Sequence, residues 1–250
     1  MRSVKIALQV LETVARMQPV GLSDLSRTLG LPKTTVHRSL VTLADSGWLE
    51  ADDQVSGRWR IGTRAFIIGN TIGERDGLRS RALPVMNALN ADVGETIHLM
   101  IPSAGEVILI ERIDSTRSVR AFTPLGTRAP LHASSNGKAV LAYLSEREIE
   151  EYLRSNIEAV TAHTTTDPAL LRAELAEIRS RGYAVNVEEL RDGVVSVAAS
   201  IRPGGARPIG SLSISAPKVR MPQQVHNAYG EKVRTAAANI AAALPASTHY

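Results

Sequence analysis

The chain has 250 residues, of which 44% are hydrophobic, so it can bury the core of one large domain or of two ordinary ones. It has no cysteine, which excludes disulfides and thiolate metal sites, and no apolar run near the length of about 18 residues that a membrane-spanning helix needs. The formal net charge of +4 permits nucleic-acid binding without establishing it, and no signal segment opens the sequence, so we expect a cytoplasmic protein.

Residues 1–63 predict three helices followed by a hairpin. Apolar residues at helical spacing mark the first helix within residues 3–17. Ser23 then precedes an aspartate, a favourable start for a second helix, which Gly30 ends. Pro32 opens a third helix that runs to about Ser46, and "RWRIG" returns as a strand after the turn "DDQVSG". This order predicts a winged helix-turn-helix DNA-binding domain.

The third helix has an apolar stripe on one side and short polar or basic side chains on the other. Val36, Leu40 and Leu43 form the stripe, whereas Thr34 and Arg38 lie opposite it. Side chains of this kind bind base edges and phosphates, and a wing with arginines would contact the DNA backbone or minor groove. The alternative is an ordinary helical corner with a solvated face. The candidate DNA-contacting residues are Ser23, Lys33, Thr34, Thr35, His37, Arg38, Arg58 and Arg60.

Residues 64–92 are predicted to be linker helices. The segments "TRAFIIGNTIG" and "GLRSRALPVMNALNADVG" both have helical patterns, and Pro84 predicts a kink or restart in the second. A roughly palindromic operator requires a two-fold protein, so we expect at least a dimer. The apolar stripe expected to hold it is formed by Leu78, Ala82, Val85 and Leu89.

Residues 93–250 predict an α+β domain with a mostly antiparallel sheet. The expected strands are "TIHLMI", "GEVILIERI", "SVRAF", "YAVNVEE", "VVSVAASIR" and "PIGSLSISA". The expected helices are "SSNGKAVLAYLSEREIEEYLRS", "PALLRAELAEIRSRG" and "PQQVHNAYGEKVRTAAANIAAAL". Strands joined in places by short turns and in places by helices favour this fold class.

The segment "HASSNGKA" indicates a ligand site. Ser134 or Ser135 would cap a helix that begins at Asn136–Gly137, and its free N–H groups would face the sheet and attract a carboxylate. The alternative is a serine that only caps a structural helix. A phosphate-binding loop is excluded, because the required earlier glycine is His132 and neither serine nor threonine follows Lys138.

Four segments resemble the IclR-type (isocitrate-lyase regulator) family of bacterial transcription factors. They are "LPKTTVHRSLVTLADSGWLE", "TPLGTRAPLHASSNGKAVLAYL", "GYAVNVEELRDGVVSVAASI" and "SLSIS". The resemblance implies a winged helix-turn-helix over residues 1–63, a linker helix, and a GAF-like effector-binding and oligomerisation domain over residues 93–250. It also implies a DNA-binding regulator, dimers that are often paired into tetramers, and no cofactor.

The same resemblance implies an effector site that departs from the family pattern. The carried-over positions are Ser135, Asn136, Gly137, Asn186, Ser196 and Ser213. The family's acidic or serine position is the neutral Asn186, and its late aromatic position is Arg202, which a longer turn follows. Because Asn186 can donate a hydrogen bond, the pocket need not repel an anion and could equally hold an amide or a phenol. We expect a small organic acid or a related aromatic metabolite between largely aliphatic walls.

Two other classes of function are alternatives. His98, Glu111, His132, Ser134 and Ser135 could be combined into a hydrolase for small esters or amides, or into a metal site. The sequence has neither a G-x-S-x-G elbow nor two histidines at metal-ligand spacing, which disfavours both. The third class is a protein-interaction adaptor that uses the winged helix to bind a protein.

Overall fold

The computed structural model describes residues 2–155 and 157–244. The chain divides into two compact units, Met1–Arg75 and Asp76–Tyr250. The predicted linker, residues 64–92, spans the boundary between them. No helix in the described ranges combines the length and apolar composition needed to cross a membrane.

The N-terminal unit is a helical domain with a small sheet. Its elements are α1 (Arg2–Met17), β1 (Val20–Gly21), α2 (Leu22–Leu29), α3 (Lys33–Asp45), β2 (Leu49–Ala51), β3 (Arg58–Ile61) and α4 (Thr63–Asp76). The antiparallel sheet has the order β1-β3-β2, in which β1 is an addition to the prediction. The second helix begins at Leu22 with Gly21 as its N-cap, so Ser23 lies inside the first turn and does not cap it.

The apolar stripes of α1, α2 and α3 meet in one core. Val10, Val14, Leu25, Val36 and Leu40 are all 0% exposed. Burial of each such side chain contributes about 1.5–3 kcal/mol. The predicted stripes of the first three helices therefore hold this unit together.

The C-terminal unit is an α+β domain, as predicted. Its helices are α5 (Leu78–Val93), α6 (Ser135–Leu141), α7 (Glu146–Leu153), α8 (Pro168–Arg181) and α9 (Gln223–Ala242). Its strands are β4 (Thr96–Ser103), β5 (Glu106–Ile113), β6 (Arg128–Pro130), β7 (Ala184–Val187), β8 (Val194–Ile201) and β9 (Gly210–Pro217). They form one sheet of order β6-β5-β4-β9-β8-β7, in which every neighbouring pair is antiparallel.

The two faces of this sheet differ in chemistry. Ile97 of β4 and Ile214 of β9 belong to the apolar core that includes residues of α5 and α9. Successive side chains of a strand alternate between faces, so His98 and Ser213, which are paired across β4 and β9, point the other way. This second face carries α6 and α8 and contains most of the sheet's buried polar side chains.

Two sequence-based expectations about elements were wrong, and of the kink or restart predicted at Pro84 the restart was wrong. "SVRAF", residues 118–122, is not a strand, and β6 is instead Arg128–Pro130. The carbonyl oxygens of Phe122 and Thr123 accept hydrogen bonds from arginine side chains, so in this loop they do not serve a strand partner. The helix predicted from Ser134 onwards is two helices, because Ser145 forms a capping box that starts α7. Pro84 lies inside a continuous α5 and neither ends nor restarts it.

The stripe assigned to a dimer contact has a different partner. Leu78, Ala82 and Leu89 are at most 7% exposed and belong to the core that α5 shares with α9 and the sheet of the same chain. The periodicity correctly indicated burial, but it could not indicate which surface covers the helix. Those three residues are therefore not available to a second copy of the chain.

Candidate DNA-contacting and ligand-binding sites

The α2–α3 corner places a row of polar side chains on the surface. Gly30 ends α2 with φ 63°, a left-handed conformation that glycine adopts without strain, and the Ser26 hydroxyl donates to the Leu31 carbonyl at 2.6 Å. Val36 and Leu40 then anchor one side of α3 in the core. The candidate residues left exposed by this anchoring are Ser23, Lys33, Thr34, His37 and Arg38, and Thr35 is half-buried.

The hairpin is less basic than its two arginines suggest. Arg58 donates to the Pro19 carbonyl at 2.9 Å, and Arg60 lies 3.0 Å from a Glu50 oxygen and 3.2 Å from an Asp53 oxygen. The tip also carries Asp52, whose carboxylate accepts backbone N–H groups of the turn. Both candidate wing arginines therefore have partners within the protein. The acidic residues of the hairpin were visible in the sequence, but their pairing depends on the register of β2 and β3.

The candidate effector residues converge at the start of α6. The Ser135 and Ser196 hydroxyls lie 2.7 Å apart, and the Asn136 amide donates to the Ser213 hydroxyl at 2.8 Å. Asn186 donates to the Ala133 carbonyl, also at 2.8 Å. One helix and three strands, β7, β8 and β9, thus bring together five side chains that are up to 78 residues apart in sequence.

Ser134 and Gly137 fix the position of α6. The Ser134 hydroxyl accepts from the Gly137 N–H at 3.0 Å and donates to the Pro130 carbonyl at 3.0 Å. A Cβ atom at Gly137 would lie 2.5 Å from the Leu131 Cα, so only glycine allows this approach. The cap uses the Gly137 N–H, so this group is not available to a carboxylate. The use of N–H groups near Ser135 and Asn136 stays a prediction.

Lys138 is a charged residue that is fully buried in this region. Its ammonium lies 2.8 Å from a Glu174 oxygen and 2.6 Å from a Glu189 oxygen, and its side chain is 1% exposed. Burial raises the pKa of the Glu174 carboxyl, and the nearby Lys138 opposes that rise. Lys138 therefore ties α6 to α8 and to the residues after β7, which keeps Asn136 and Asn186 in place.

His98 belongs to the same face of the sheet and was not assigned to the effector site from the sequence. It is 6% exposed, and its pKa is lowered to about 4 by burial and by the charges of Arg112 and Arg191. Arg112 is itself paired with Asp114 at 2.7 Å and lies over the Phe122 ring. The alternation in "TIHLM" and "SLSIS" was the available signal, because it predicts that His98 and the serines face one way.

The residues considered for hydrolysis do not form a catalytic group. His132 contacts the Tyr152 hydroxyl at 2.8 Å and the Glu158 carbonyl at 2.9 Å, while Glu111 is paired with Arg79 at 2.6 Å. Ser134 is the helix cap described above. Across the described residues, no group of three histidine, aspartate or glutamate side chains is arranged to hold a metal ion.

Comparison with known proteins assigns both units to families. Residues 3–53 match the IclR helix-turn-helix domain, and residues 71–242 match the bacterial transcriptional regulator IclR C-terminal family. The HTH-type transcriptional regulator BhcR of Paracoccus denitrificans is 36% identical over 94% of this chain and 85% of its own length. The transcriptional repressor IclR of Escherichia coli is 32% identical over 96% of this chain and 88% of its own length. An IclR homologue from Microbacterium hydrocarbonoxydans was solved with 4-hydroxybenzoate. It matches this chain with a TM-score of 0.83 and 29% identity, over 95% of this chain and 97% of its own.

Proposed function

The chain belongs to the IclR family of bacterial DNA-binding transcriptional regulators, and we propose that α3 reads an operator while the C-terminal unit binds the effector that controls it. The observation that carries the proposal is that one chain has both an exposed polar row on α3 and a buried polar cluster around α6. The Escherichia coli relative is a repressor, and we propose the same sign of regulation here. Since its target is the chromosome, we place the protein in the cytoplasm.

Arg38 is the residue to which we assign base contact. It is exposed and lies two residues after the buried Val36, so it points away from the core. Lys33, Thr34, Thr35 and His37 flank it and suit phosphate or base edges. Arg58 and Arg60 must give up the partners described above before they contact phosphate, so we assign them a smaller share of the affinity.

Fluorescence anisotropy with a labelled operator fragment tests this assignment. Arg38→Ala should weaken operator binding by about 1–3 kcal/mol, and Arg38→Lys should not restore it, because a lysine lacks the bidentate geometry for guanine. Arg27→Ala, which removes an exposed arginine of α2, is the matched control and should cost less. Unchanged affinity in Arg38→Ala, with an intact fold by circular dichroism, contradicts the assignment.

Arg58 serves as the test of the wing. If it contacts a phosphate, Arg58→Ala weakens binding to all DNA sequences alike. The number of counterions released on binding, read from the slope of log K against log salt concentration, then falls by about one. A loss restricted to one base position contradicts a phosphate contact.

The effector site comprises Ser135, Asn136, Asn186, Ser196 and Ser213, and Gly137 positions the helix beneath them. We propose a small organic acid or a related aromatic metabolite as ligand, and the Microbacterium homologue with its 4-hydroxybenzoate supports this class. The neutral amides and hydroxyls orient such a ligand by hydrogen bonds without adding a negative charge. None of these side chains is assigned to catalysis.

Ser196→Leu tests the location of the effector site. Ser196 is half-buried beside Ser135, so a leucine there should fill the pocket and abolish the response to effector while operator binding stays near normal. Ser180→Leu, at an exposed position of α8, is the matched control. Calorimetric titration decides the outcome, and wild-type effector binding by Ser196→Leu would place the site elsewhere.

A two-fold operator needs an oligomer, and α4 offers the surface for it. Phe66 and Ile67 are 71% and 63% exposed and are adjacent in sequence, so they give α4 an uncovered apolar surface. We propose a homodimer that contacts through α4, with pairs of dimers forming tetramers. Phe66→Glu should lower the mass measured by light scattering and weaken operator binding together. A wild-type mass in this variant contradicts the contact.

A further inference from the structure

Three buried polar atoms gather where β4, β9 and α6 meet. His98 Nε2, the Oδ1 atom of Asn136 and the Ser211 hydroxyl find no hydrogen-bond partner within the described part of the chain. The three residues are 6%, 4% and 0% exposed, respectively. Buried polar groups are normally paired, so each of these atoms calls for a partner.

The three side chains are neighbours of Ser213. His98 is the direct cross-strand neighbour of Ser213, and Ser211 lies two residues earlier on the same face of β9. Asn136 reaches the same hydroxyl from α6 at 2.8 Å, which leaves its other amide atom unpaired. The cluster therefore borders the effector site at its β4 side.

The other polar side chains assigned to the effector site have partners. Ser135 pairs with Ser196, Asn186 donates to the Ala133 carbonyl, and Ser134 caps α6. Arg112 Nε and Asp114 Oδ1, next to His98, also lack a well-aligned hydrogen bond, but they form an ion pair with each other at 2.7 Å. Among the described residues, the uncharged side chains of this face that have an unpaired buried atom are therefore His98, Asn136 and Ser211. Such a group of unpaired atoms is expected of a subsite that a ligand group completes.

We propose, on the basis of the function proposed above, that His98, Asn136 and Ser211 form a subsite that binds a hydroxyl group of the effector. A hydroxyl both donates and accepts, and the subsite requires both. The Asn136 carbonyl oxygen accepts a hydrogen bond from this hydroxyl, while the Ser211 hydroxyl, or His98 as its Nε2–H tautomer, donates to the hydroxyl oxygen.

The charged groups of small metabolites fit this subsite less well. A carboxylate has no proton for the Asn136 oxygen and would face it as a like partial charge, and an ammonium cannot accept from the imidazole. His98 is neutral near pH 7, because its pKa is lowered to about 4, so it adds no charge to hold an anion. The charge of Arg112 is already matched by Asp114.

Matched pairs of probes that differ by one hydroxyl test the subsite on the full chain. The pairs are 4-hydroxybenzoate with benzoate, lactate with propanoate, and glycolate with acetate, titrated by calorimetry. We expect at least about tenfold tighter binding of the hydroxylated member in one pair, because a site built for a hydroxyl leaves its own groups unpaired without one. His98→Phe should reduce that ratio to near one, because only the hydroxylated member loses a hydrogen bond.

His163→Phe, the same change at an exposed position, should keep the wild-type ratio. If His98→Phe does not fold, Ser211→Ala removes a single hydroxyl and should still lower the ratio. Equal affinities within every pair, or no binding of any hydroxylated probe at millimolar concentration, overturn the subsite. A wild-type ratio in both His98→Phe and Ser211→Ala overturns it as well. If an unhydroxylated acid causes the protein to release the operator as effectively as the hydroxylated acid of the same pair, the regulatory function stands and only the subsite is refuted.

Discussion

Removal of the Lys138 charge should selectively destabilise the C-terminal unit. Lys138→Met keeps most of the side-chain volume but leaves Glu174 and Glu189 facing each other without a cation. Loss of one partner from a buried ion pair costs about 3–5 kcal/mol. Because Glu174 retains 22% exposure and water screens part of its charge, we expect the lower end of this range, about 3 kcal/mol.

The two tryptophans allow the two units to be followed separately. Trp48 and Trp59 both belong to the N-terminal unit, so tryptophan fluorescence in urea reports that unit, while far-UV circular dichroism reports both. Lys138→Met should shift the circular dichroism transition to lower urea and leave the fluorescence transition in place. Lys232→Met, which breaks an ion pair whose partners are 39% and 54% exposed, is the control and should cost about 0–1 kcal/mol.

The dependence on pH supplies a second check on the same variant. The folded-state pKa of Glu174 is raised, so the folded protein takes up this proton more readily than the unfolded chain does. Protonation at lower pH therefore relieves the unpaired carboxylates, and the penalty of Lys138→Met should shrink as the pH falls from 7.5 to about 5. Adding Glu174→Gln and Glu189→Gln should recover part of the loss at pH 7.5. A penalty below about 1 kcal/mol, or one that does not depend on pH, refutes the reasoning.

Further outcomes follow from the same geometry. Gly137→Ala should destabilise the C-terminal unit by about 1–3 kcal/mol and weaken effector binding, because its Cβ meets the Leu131 backbone at 2.5 Å; a wild-type thermal midpoint contradicts this. The His98 imidazole should remain neutral down to about pH 5 in NMR titration, and a midpoint near the ordinary 6.5 contradicts its burial. Since the unfolded chain takes up that proton first, the His98 contribution to stability should fall as the pH drops from 6.5 towards about 4, and His98→Phe should remove that part of the pH dependence.

The parts of the structure that sequence predicted well depend on local chemistry. Gly30 and Pro32 define the α2–α3 corner through their own backbone preferences. Ser134 caps α6 through a hydrogen bond to Gly137, a residue only three positions later in the sequence. Each of these features depends on residues that are close together in sequence.

The parts that sequence missed depend on distant partners. The stripe of Leu78, Ala82 and Leu89 indicated a buried face, but the covering α9 lies about 150 residues later in the chain. Arg60 seemed available to DNA because its carboxylate partners are set by the β2–β3 register. Similarly, His98 lies beside Ser213 only because β4 pairs with β9. These pairings are properties of the sheet topology.

The proposal that α3 reads a specific DNA sequence is tested most directly by selection from random DNA. Repeated capture of a random duplex pool on the purified full-length protein should enrich one motif with two-fold symmetry, its half-sites about one helical turn apart. Parallel selection with Arg38→Ala should lose the preference at one base pair of each half-site while Arg27→Ala retains it. Enrichment of no sequence by the wild-type chain, or the same motif in Arg38→Ala, would contradict the assignment of α3 as the reading helix.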